Sequence, residues 1–171
     1  AIAGESYGGQ RVAALTRMLL EDYDINLNRA VMISPALRAS LPGFESRYGL
    51  ISMMTTLPSQ VAVAAFHRRN DLPADFASLP KALAEVERYA LGEYLTGMAN
   101  LGRSTPEQKA ALFGRVAALT GLDRDVVASQ NGRIGADFFV KGLLRQQYKL
   151  IDRYDGTQST DDPLPEHPEF A

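Results

Sequence analysis

A serine flanked by two glycines, in Gly4-Glu5-Ser6-Tyr7-Gly8, constrains the fold of this chain more than any other feature. The spacing G-x-S-x-G is typical of a nucleophile elbow, a sharp turn from a strand into a helix that lifts the serine hydroxyl clear of a sheet. The residues two before and two after the serine crowd each other in such a turn, so only very small residues fit there. We therefore expect a strand before the serine, a helix after it, and structural roles for both glycines.

The residues after the motif show the pattern that an elbow requires. Apolar residues recur with helical spacing from Gln10 to about Leu20, which predicts an amphipathic helix. The apolar run 30–33 stops before Pro35 and is typical of a short buried strand. A strand, a helix and a second strand predict a βαβ unit with parallel strands. The apolar helical positions are Val12, Leu15, Leu19 and Leu20.

The rest of the chain has mainly helical periodicity. Residues 36–55 are mixed in character and predict mostly loop, and residues 157–171, with three prolines, predict an irregular tail after a short strand at Leu150-Ile151. Between them, the predicted helices run from Pro58 to near Asn70, from about Leu79 to Asn100, from a capping box at Ser104–Glu107 to Gly121, from Asp123 to Asn131, and from about Ile134 to Gln147.

The composition excludes several classes of protein. Of the 171 residues, 46% are apolar and 22% are charged, which is typical of a globular domain. The 18 basic and 20 acidic side chains argue against nucleic-acid binding, and the longest apolar run, Val61–Phe66, is far too short to span a membrane. The absence of cysteine excludes disulfides and thiolate metal sites. Two histidines make no zinc motif, and Asp22-x-Asp24-x-Asn26 lacks the glycine and glutamate of a calcium loop, so we predict neither a metal nor a cofactor.

The segment Gly4-Glu5-Ser6-Tyr7-Gly8-Gly9 resembles the elbow of the serine carboxypeptidases, peptidase family S10. The family has an α/β-hydrolase fold, so the resemblance implies an α/β fold class with a sheet portion at 1–36, a mainly helical cap inserted at 37–156, and a tail at 157–171. The helix from Arg11 to Glu21, the segment Asp24–Asn28 and the strand ending at Pro35 look like the segments after the elbow in bacterial members, and Leu91–Tyr94, Thr120–Leu122 and Leu150–Arg153 look similar to their helical insertion.

The resemblance also implies roles for the residues of the motif. Ser6 would be the nucleophile that forms an acyl-enzyme, and the backbone N–H of Tyr7 would donate to the oxyanion. Glu5 would share a proton with a second acid and so help to bind the free C-terminal carboxylate of a peptide substrate. The implied activity is the hydrolysis of C-terminal peptide bonds without a cofactor. The compartment is unknown from the residues, and the resemblance to bacterial members favours a periplasmic or secreted location over a cytoplasmic one.

Alternative interpretations of these residues remain open. Another α/β-hydrolase, such as an esterase, would use the same elbow without needing Glu5. A helical interaction module would need no nucleophile, and Ser6 would then be an ordinary serine in a glycine-rich turn. Glu5 would in that case be a solvated charge beside the turn.

A serine nucleophile of this fold needs an acid and a histidine base that come after it in the chain. The chain offers only His67, interpreted as a capping or solvent-facing residue at a helix end, and His167 in the predicted tail. We therefore expect the chain to be an internal fragment that is inactive alone, because the aspartate and histidine of the triad are absent. We also expect apolar surface at Val31, Ile33 and the elbow helix to be exposed, and to lead either to self-association, for example into a homo-oligomer, or to a rearranged elbow.

Overall fold

The computed structural model describes residues 1–35, 49–75 and 77–167. The chain divides into two units, Ala1–Gly49 and Leu50–Ala171, which we call the βαβ unit and the helical unit and describe separately. The fold class is mixed α/β: a parallel strand–helix–strand unit, then a mainly helical region with a small antiparallel hairpin. Residues 36–48 of the predicted loop and residues 168–171 of the predicted tail lie outside the described residues.

The βαβ unit consists of strand β1 (Ile2–Glu5), helix α1 (Tyr7–Tyr23) and strand β2 (Ala30–Ile33). The two strands pair in parallel, in a register that places Glu5 beside Ile33. The predicted parallel βαβ unit is therefore confirmed. α1 is longer than predicted at both ends, and its first residue comes directly after the serine of the motif.

Few apolar side chains are buried in the described part of the βαβ unit, residues 1–35 and 49. Val12 of α1 is 3% exposed, but Leu15 and Leu20 on the same predicted face are 41% and 49% exposed. Val31 and Ile33 of β2 are about half exposed. The prediction of a buried strand is wrong for the described residues, because α1 alone covers a sheet of only two strands. The predicted exposure of Val31, Ile33 and the elbow helix is confirmed.

Helix α2 (Leu50–Phe66) opens the helical unit and begins well before its predicted start. Pro58 lies inside this helix rather than at its beginning, so the loop predicted over 50–55 is wrong. Four apolar residues before Pro58 have helical spacing, and burying two of them stabilises the helix against the missing N–H of the proline. These residues are Leu50, Met53, Met54 and Leu57, of which Met53 and Leu57 are buried.

The long helix predicted from Leu79 to Asn100 is present but interrupted. It consists of α3 (Leu79–Tyr89), a π-helical turn (Ala90–Tyr94) and α4 (Leu95–Ala99). The wider π turn shifts the phase of the apolar side chains along the helix, and Leu91 within the turn is 62% exposed. The buried stripe is Val86, Ala90, Tyr94 and Met98.

Helix α5 (Pro106–Thr120) has its capping box one residue later than predicted. The Thr105 hydroxyl accepts a hydrogen bond from the Gln108 N–H at 3.3 Å, and the Gln108 side chain accepts one from the Thr105 N–H at 2.9 Å. Ser104 instead donates to the Asn100 carbonyl. The shift results from Pro106, because proline fits best at the first helical position and leaves Thr105 as the cap.

The described part of the helical unit also contains 3-10 turns at Leu101–Arg103 and Arg145–Gln147, and two further helices and two strands. These helices and strands are α6 (Arg124–Ser129), α7 (Ala136–Gly142), β3 (Lys149–Ile151) and β4 (Ser159–Asp161). α7 is shorter than the helix predicted for 134–147. β3 and β4 pair in an antiparallel hairpin, so the prediction of an irregular tail is wrong at 159–161, where hydrogen bonds to β3 impose strand geometry.

A buried ion pair between Lys141 of α7 and Asp162 holds the chain after β4. The Lys141 ammonium donates to the Asp162 carboxylate at 2.9 Å and to the Leu164 carbonyl at 2.6 Å. The two charged side chains are 3% and 2% exposed. Burial alone would raise the pKa of Asp162, but the hydrogen bonds from Lys141 and the Leu164 N–H, with the charge of Lys141, outweigh burial and lower it.

The main core lies in the helical unit. Side chains from α2, α3, the π-helical turn, α5 and α7 form one buried apolar cluster. Leu57, Val61, Val116 and Leu143 are each at most 1% exposed. Among the helices of the described residues, none is both long enough and apolar enough to cross a membrane.

Candidate functional site at the turn between β1 and α1

Ser6 joins β1 to α1 in a backbone conformation that L-residues rarely adopt, with φ 53° and ψ −118°. Its N–H donates to the Ile33 carbonyl at 3.0 Å, which ties the turn to the end of β2. Such a conformation costs about 1–3 kcal/mol and concentrates at functional sites. Ser6 is exposed, and its side chain makes no hydrogen bond with any described residue, so the hydroxyl can be reached from solvent.

Gly4 allows the turn to close. A Cβ built on Gly4 would collide with the carbonyl oxygen of Gly8, so a larger residue there would separate β1 from the first turn of α1. A Cβ built on Gly8 would meet no described atom within 4 Å. The expected crowding therefore constrains the side chain at Gly4 only, because the part of Gly8 that approaches Gly4 is backbone, which every residue has.

Gly9 is a further constrained position, to which the spacing of the motif assigns no role. A Cβ built on Gly9 would lie 2.6 Å from the Pro35 Cβ, and Gly9 itself is buried. The first turn of α1 therefore packs directly against the chain just after β2. In the sequence, the adjacent glycines Gly8 and Gly9 indicate a close approach of the backbone at this point. Of the two, only Gly9 has no room for a side chain.

Tyr7 is the first residue of α1, so its backbone N–H has no partner within the helix. Among the described residues it donates no backbone hydrogen bond outside the helix either. No acidic residue lies in the first turn of α1 to offset the positive end of the helix dipole. The Tyr7 ring is 56% exposed and lies 5.0 Å from the guanidinium carbon of Arg11. The turn thus presents an N–H donor beside the Ser6 hydroxyl.

Glu5 ends β1 and is exposed. Among the described residues, no ion pair and no side-chain hydrogen bond involves its carboxylate. The second acid that the resemblance implies is therefore not brought to Glu5 by the described part of the βαβ unit, and the role of Glu5 stays a prediction.

Ser34 comes after β2 at the same edge of the sheet, since Glu5 pairs with Ile33. Its φ is 41°, so a second serine with positive φ lies at the end of the neighbouring strand. Ser34 is exposed. Sequence reasoning missed this conformation because a residue before proline is normally extended.

Both histidines, His67 and His167, belong to the helical unit. His67 is half-buried, with Nε2 2.7 Å from the Gly156 carbonyl oxygen, so it fastens the turn of the β3–β4 hairpin rather than facing solvent. His167 is exposed, and its backbone N–H donates to the Leu164 carbonyl. The sequence has no histidine in residues 1–49, so the βαβ unit contains no imidazole of its own.

The turn combines an accessible hydroxyl, a strained backbone and N–H groups at a helix N-terminus. Nucleophilic acyl transfer uses these features together with a general base, which residues 1–49 do not supply as a histidine. The described residues contain no cluster of three side chains that could hold a metal ion. No family model, no curated protein and no solved structure matches this chain.

Proposed function

We propose that this chain is the elbow and cap of a serine carboxypeptidase-like hydrolase of the α/β-hydrolase fold, with Ser6 as its nucleophile. The observation that supports the proposal most strongly is the conformation of Ser6, at φ 53° and ψ −118° between a strand and a helix. An incidental serine in a surface turn would have no need of a strained backbone, nor of a glycine at position 4 packed against the carbonyl oxygen of Gly8.

In the proposed reaction, the Ser6 Oγ attacks the carbonyl carbon of the last peptide bond while its proton passes to a base. The Tyr7 N–H stabilises the oxyanion of the tetrahedral intermediate. Collapse of the intermediate breaks the C–N bond, and the departing amino acid takes up the proton from the base. Water then hydrolyses the acyl-enzyme and regenerates Ser6.

The selectivity for a free C-terminus is proposed to come from Glu5. Its exposed carboxyl lies at the end of β1, one residue before the nucleophile. A carboxyl that shares a proton with a second acid has a raised pKa and can hydrogen-bond to a carboxylate. This part of the proposal rests on the resemblance.

The base and the acid that orients it are proposed to come from a longer protein. His67 Nε2 is already engaged by the Gly156 carbonyl, and His167 lies exposed on the chain after β4. Without an imidazole beside it, a serine hydroxyl is too weakly acidic to attack an amide at a useful rate.

An assay with a blocked dipeptide tests both parts of the proposal. The 171-residue chain should show no turnover above that of Ser6→Ala. The longer protein should release the C-terminal amino acid, lose that activity in Ser6→Ala, and lose most of it when the C-terminus of the substrate is amidated. Turnover by the 171-residue chain that Ser6→Ala abolishes would contradict the fragment proposal, and activity of the longer protein unaffected by Ser6→Ala would contradict the nucleophile.

The same assay separates an esterase from a carboxypeptidase. The lack of a partner for Glu5 among the described residues is the observation that keeps the esterase as a second candidate. An esterase should hydrolyse a blocked ester with little dependence on a free carboxylate, and Glu5→Gln should leave it active.

A further inference from the structure

A groove of about 890 Å³ lies in the helical unit between the π-helical turn and α5. One side is formed by the end of α3, the π-helical turn and α4, and the other by α5. Its lining includes apolar side chains of α5, Ala111 and Leu112. Gly97 of α4 permits this close packing, since a Cβ there would lie 3.1 Å from Leu112. The π-helical turn is itself notable, because such turns occur frequently at functional sites.

Two arginines give this groove an excess of positive charge. Arg103 and Arg115 line it together with one acidic residue, Glu93. Among the described residues, neither guanidinium has an ion-pair or hydrogen-bond partner for its side chain. The Arg115 guanidinium carbon lies 5.7 Å from the centre of the Tyr89 ring, which orients it on the groove wall.

The groove wall also carries a hydrogen-bond donor without an acceptor. The Tyr89 hydroxyl is buried and has no partner among the described residues. Burial raises the pKa of Tyr89 to about 12, so the hydroxyl keeps its proton at neutral pH. Nearby Tyr94, by contrast, donates to the Gly132 carbonyl at 2.9 Å. An orphaned buried donor is uncommon in native proteins, so the Tyr89 hydroxyl is a polar group of the groove wall that no described residue satisfies.

We propose that this groove binds a small organic monocarboxylate, whose carboxylate pairs with Arg103 and Arg115 and whose apolar part lies against Ala111 and Leu112. The guanidinium fork matches a carboxylate in geometry, and two arginines with one glutamate leave one net positive charge for a monoanion. The apolar lining favours a carboxylate with a short hydrocarbon part over inorganic phosphate. This site is independent of the function proposed for Ser6.

Titration of the 171-residue chain with sodium hexanoate tests the site, with hexanamide and inorganic phosphate as comparison ligands at constant ionic strength. The side-chain Nε–H resonances of Arg103 and Arg115 should shift with saturation in hexanoate and should respond weakly to the other two. Arg115→Met should weaken hexanoate binding at least about tenfold, because a charge-assisted hydrogen-bond pair is lost. Glu93→Gln should strengthen binding, because it removes the opposing charge.

Arg11→Met is the matched control, because Arg11 also lies over a tyrosine ring but in the βαβ unit. It should bind hexanoate as the parent does. Arg103→Met provides a second test if Arg115→Met loses the dispersed amide spectrum of the folded chain. The proposal is overturned by equal responses to hexanoate and hexanamide, by phosphate binding as strong as hexanoate binding, by folded Arg103 or Arg115 variants that bind as the parent does, or by an equal loss in Arg11→Met.

Discussion

The βαβ unit and the helical unit differ in how their side chains are used. In the helical unit, apolar residues from several helices close over one another, and Val61, Val116 and Leu143 are fully buried. In the βαβ unit, β2 is exposed along its whole length, and the most unusual feature is the positive φ of Ser6 and Ser34. Buried apolar packing therefore distinguishes the helical unit, whereas non-glycine residues with positive φ occur in both units, among them Arg68 and Tyr148 in the helical unit. Ser6 therefore lies in the unit whose described apolar side chains are less buried, and regions with few buried apolar contacts open locally at a low free-energy cost.

The largest difference between the two units should be in the free energy of unfolding that is lost when one apolar side chain in each is truncated to alanine. Leu143→Ala should lower the free energy of unfolding of the helical unit by about 2–5 kcal/mol, because it leaves a cavity in a closed core. Val31→Ala should cost less than about 0.5 kcal/mol, because Val31 is 46% exposed. Denaturant unfolding, with amide hydrogen exchange resolved by residue, measures both effects. A cost above about 1.5 kcal/mol for Val31→Ala would mean that β2 is covered in solution, and a concentration dependence would identify self-association as the cause.

A smaller loss of stability is expected when a Cβ is added to Gly4 in the turn between β1 and α1. Gly4→Ala should destabilise the βαβ unit by about 1–3 kcal/mol, because its Cβ would collide with the Gly8 carbonyl. Gly8→Ala is the matched control, since a Cβ there meets no described atom and alanine is the better helix former. Hydrogen exchange of the β1 and β2 amides should accelerate in the first variant only. Equal behaviour of the two variants would contradict the described turn.

The strain at Ser6 should be visible in a pair of substitutions at that residue. Ser6→Gly should be more stable than Ser6→Ala by about 1 kcal/mol, because glycine accepts φ 53° without a Cβ clash but loses more backbone entropy on folding. Both variants lack the hydroxyl, so the difference reports the backbone alone. Thermal unfolding measures it, and an alanine variant as stable as the glycine variant would place Ser6 in an ordinary turn.

The order of elements could be predicted from the sequence more fully than the burial and the boundaries of those elements. The parallel strand–helix–strand order could be inferred from one motif and one apolar run, because both are local signals. The exposure of β2 could not be inferred from its apolar run, since burial depends on which elements cover the sheet. In the helical unit, Ser104–Glu107 and Thr105–Gln108 both fit the capping-box pattern. The structure uses the second, because it places Pro106 at the first helical position. Pro58 is a misleading signal for the start of α2, because proline is typical of the first helical turn but lies here in the middle of the helix.

The candidate site was predictable in its residue types but not in its geometry. Gly4 and Ser6 could be assigned from spacing, because the crowding at such a turn is a matter of short-range sterics. The positive φ of Ser34 and the contact between Gly9 and Pro35 could not, since both depend on how the end of β2 meets α1. The groove beside Tyr89 was also beyond sequence reasoning, because it depends on the phase shift that the π-helical turn introduces.

The smallest expected effect is on the pH dependence of stability, and it comes from the buried ion pair between Lys141 and Asp162 at acidic pH. The pKa of Asp162 is lowered in the folded chain, so its pairing with Lys141 is fully stabilising above the unfolded value of 3.8 and is lost as the pH falls through the folded pKa. The stability difference between the parent and Asp162→Asn should therefore shrink as the pH falls through that window. Exposed Asp161 provides the control variant Asp161→Asn, for which the difference from the parent should stay small. Parallel pH profiles for the parent and Asp162→Asn would contradict the buried ion pair.

We propose that the turn presents the Ser6 hydroxyl as a nucleophile, and the decisive experiment is covalent labelling of the longer protein to which this chain is proposed to belong. Treatment with a fluorophosphonate, with peptide mass mapping afterwards, should give a single adduct on Ser6 that is absent in Ser6→Ala. An active protein that carries its adduct on another serine, or that carries none, would contradict the claim.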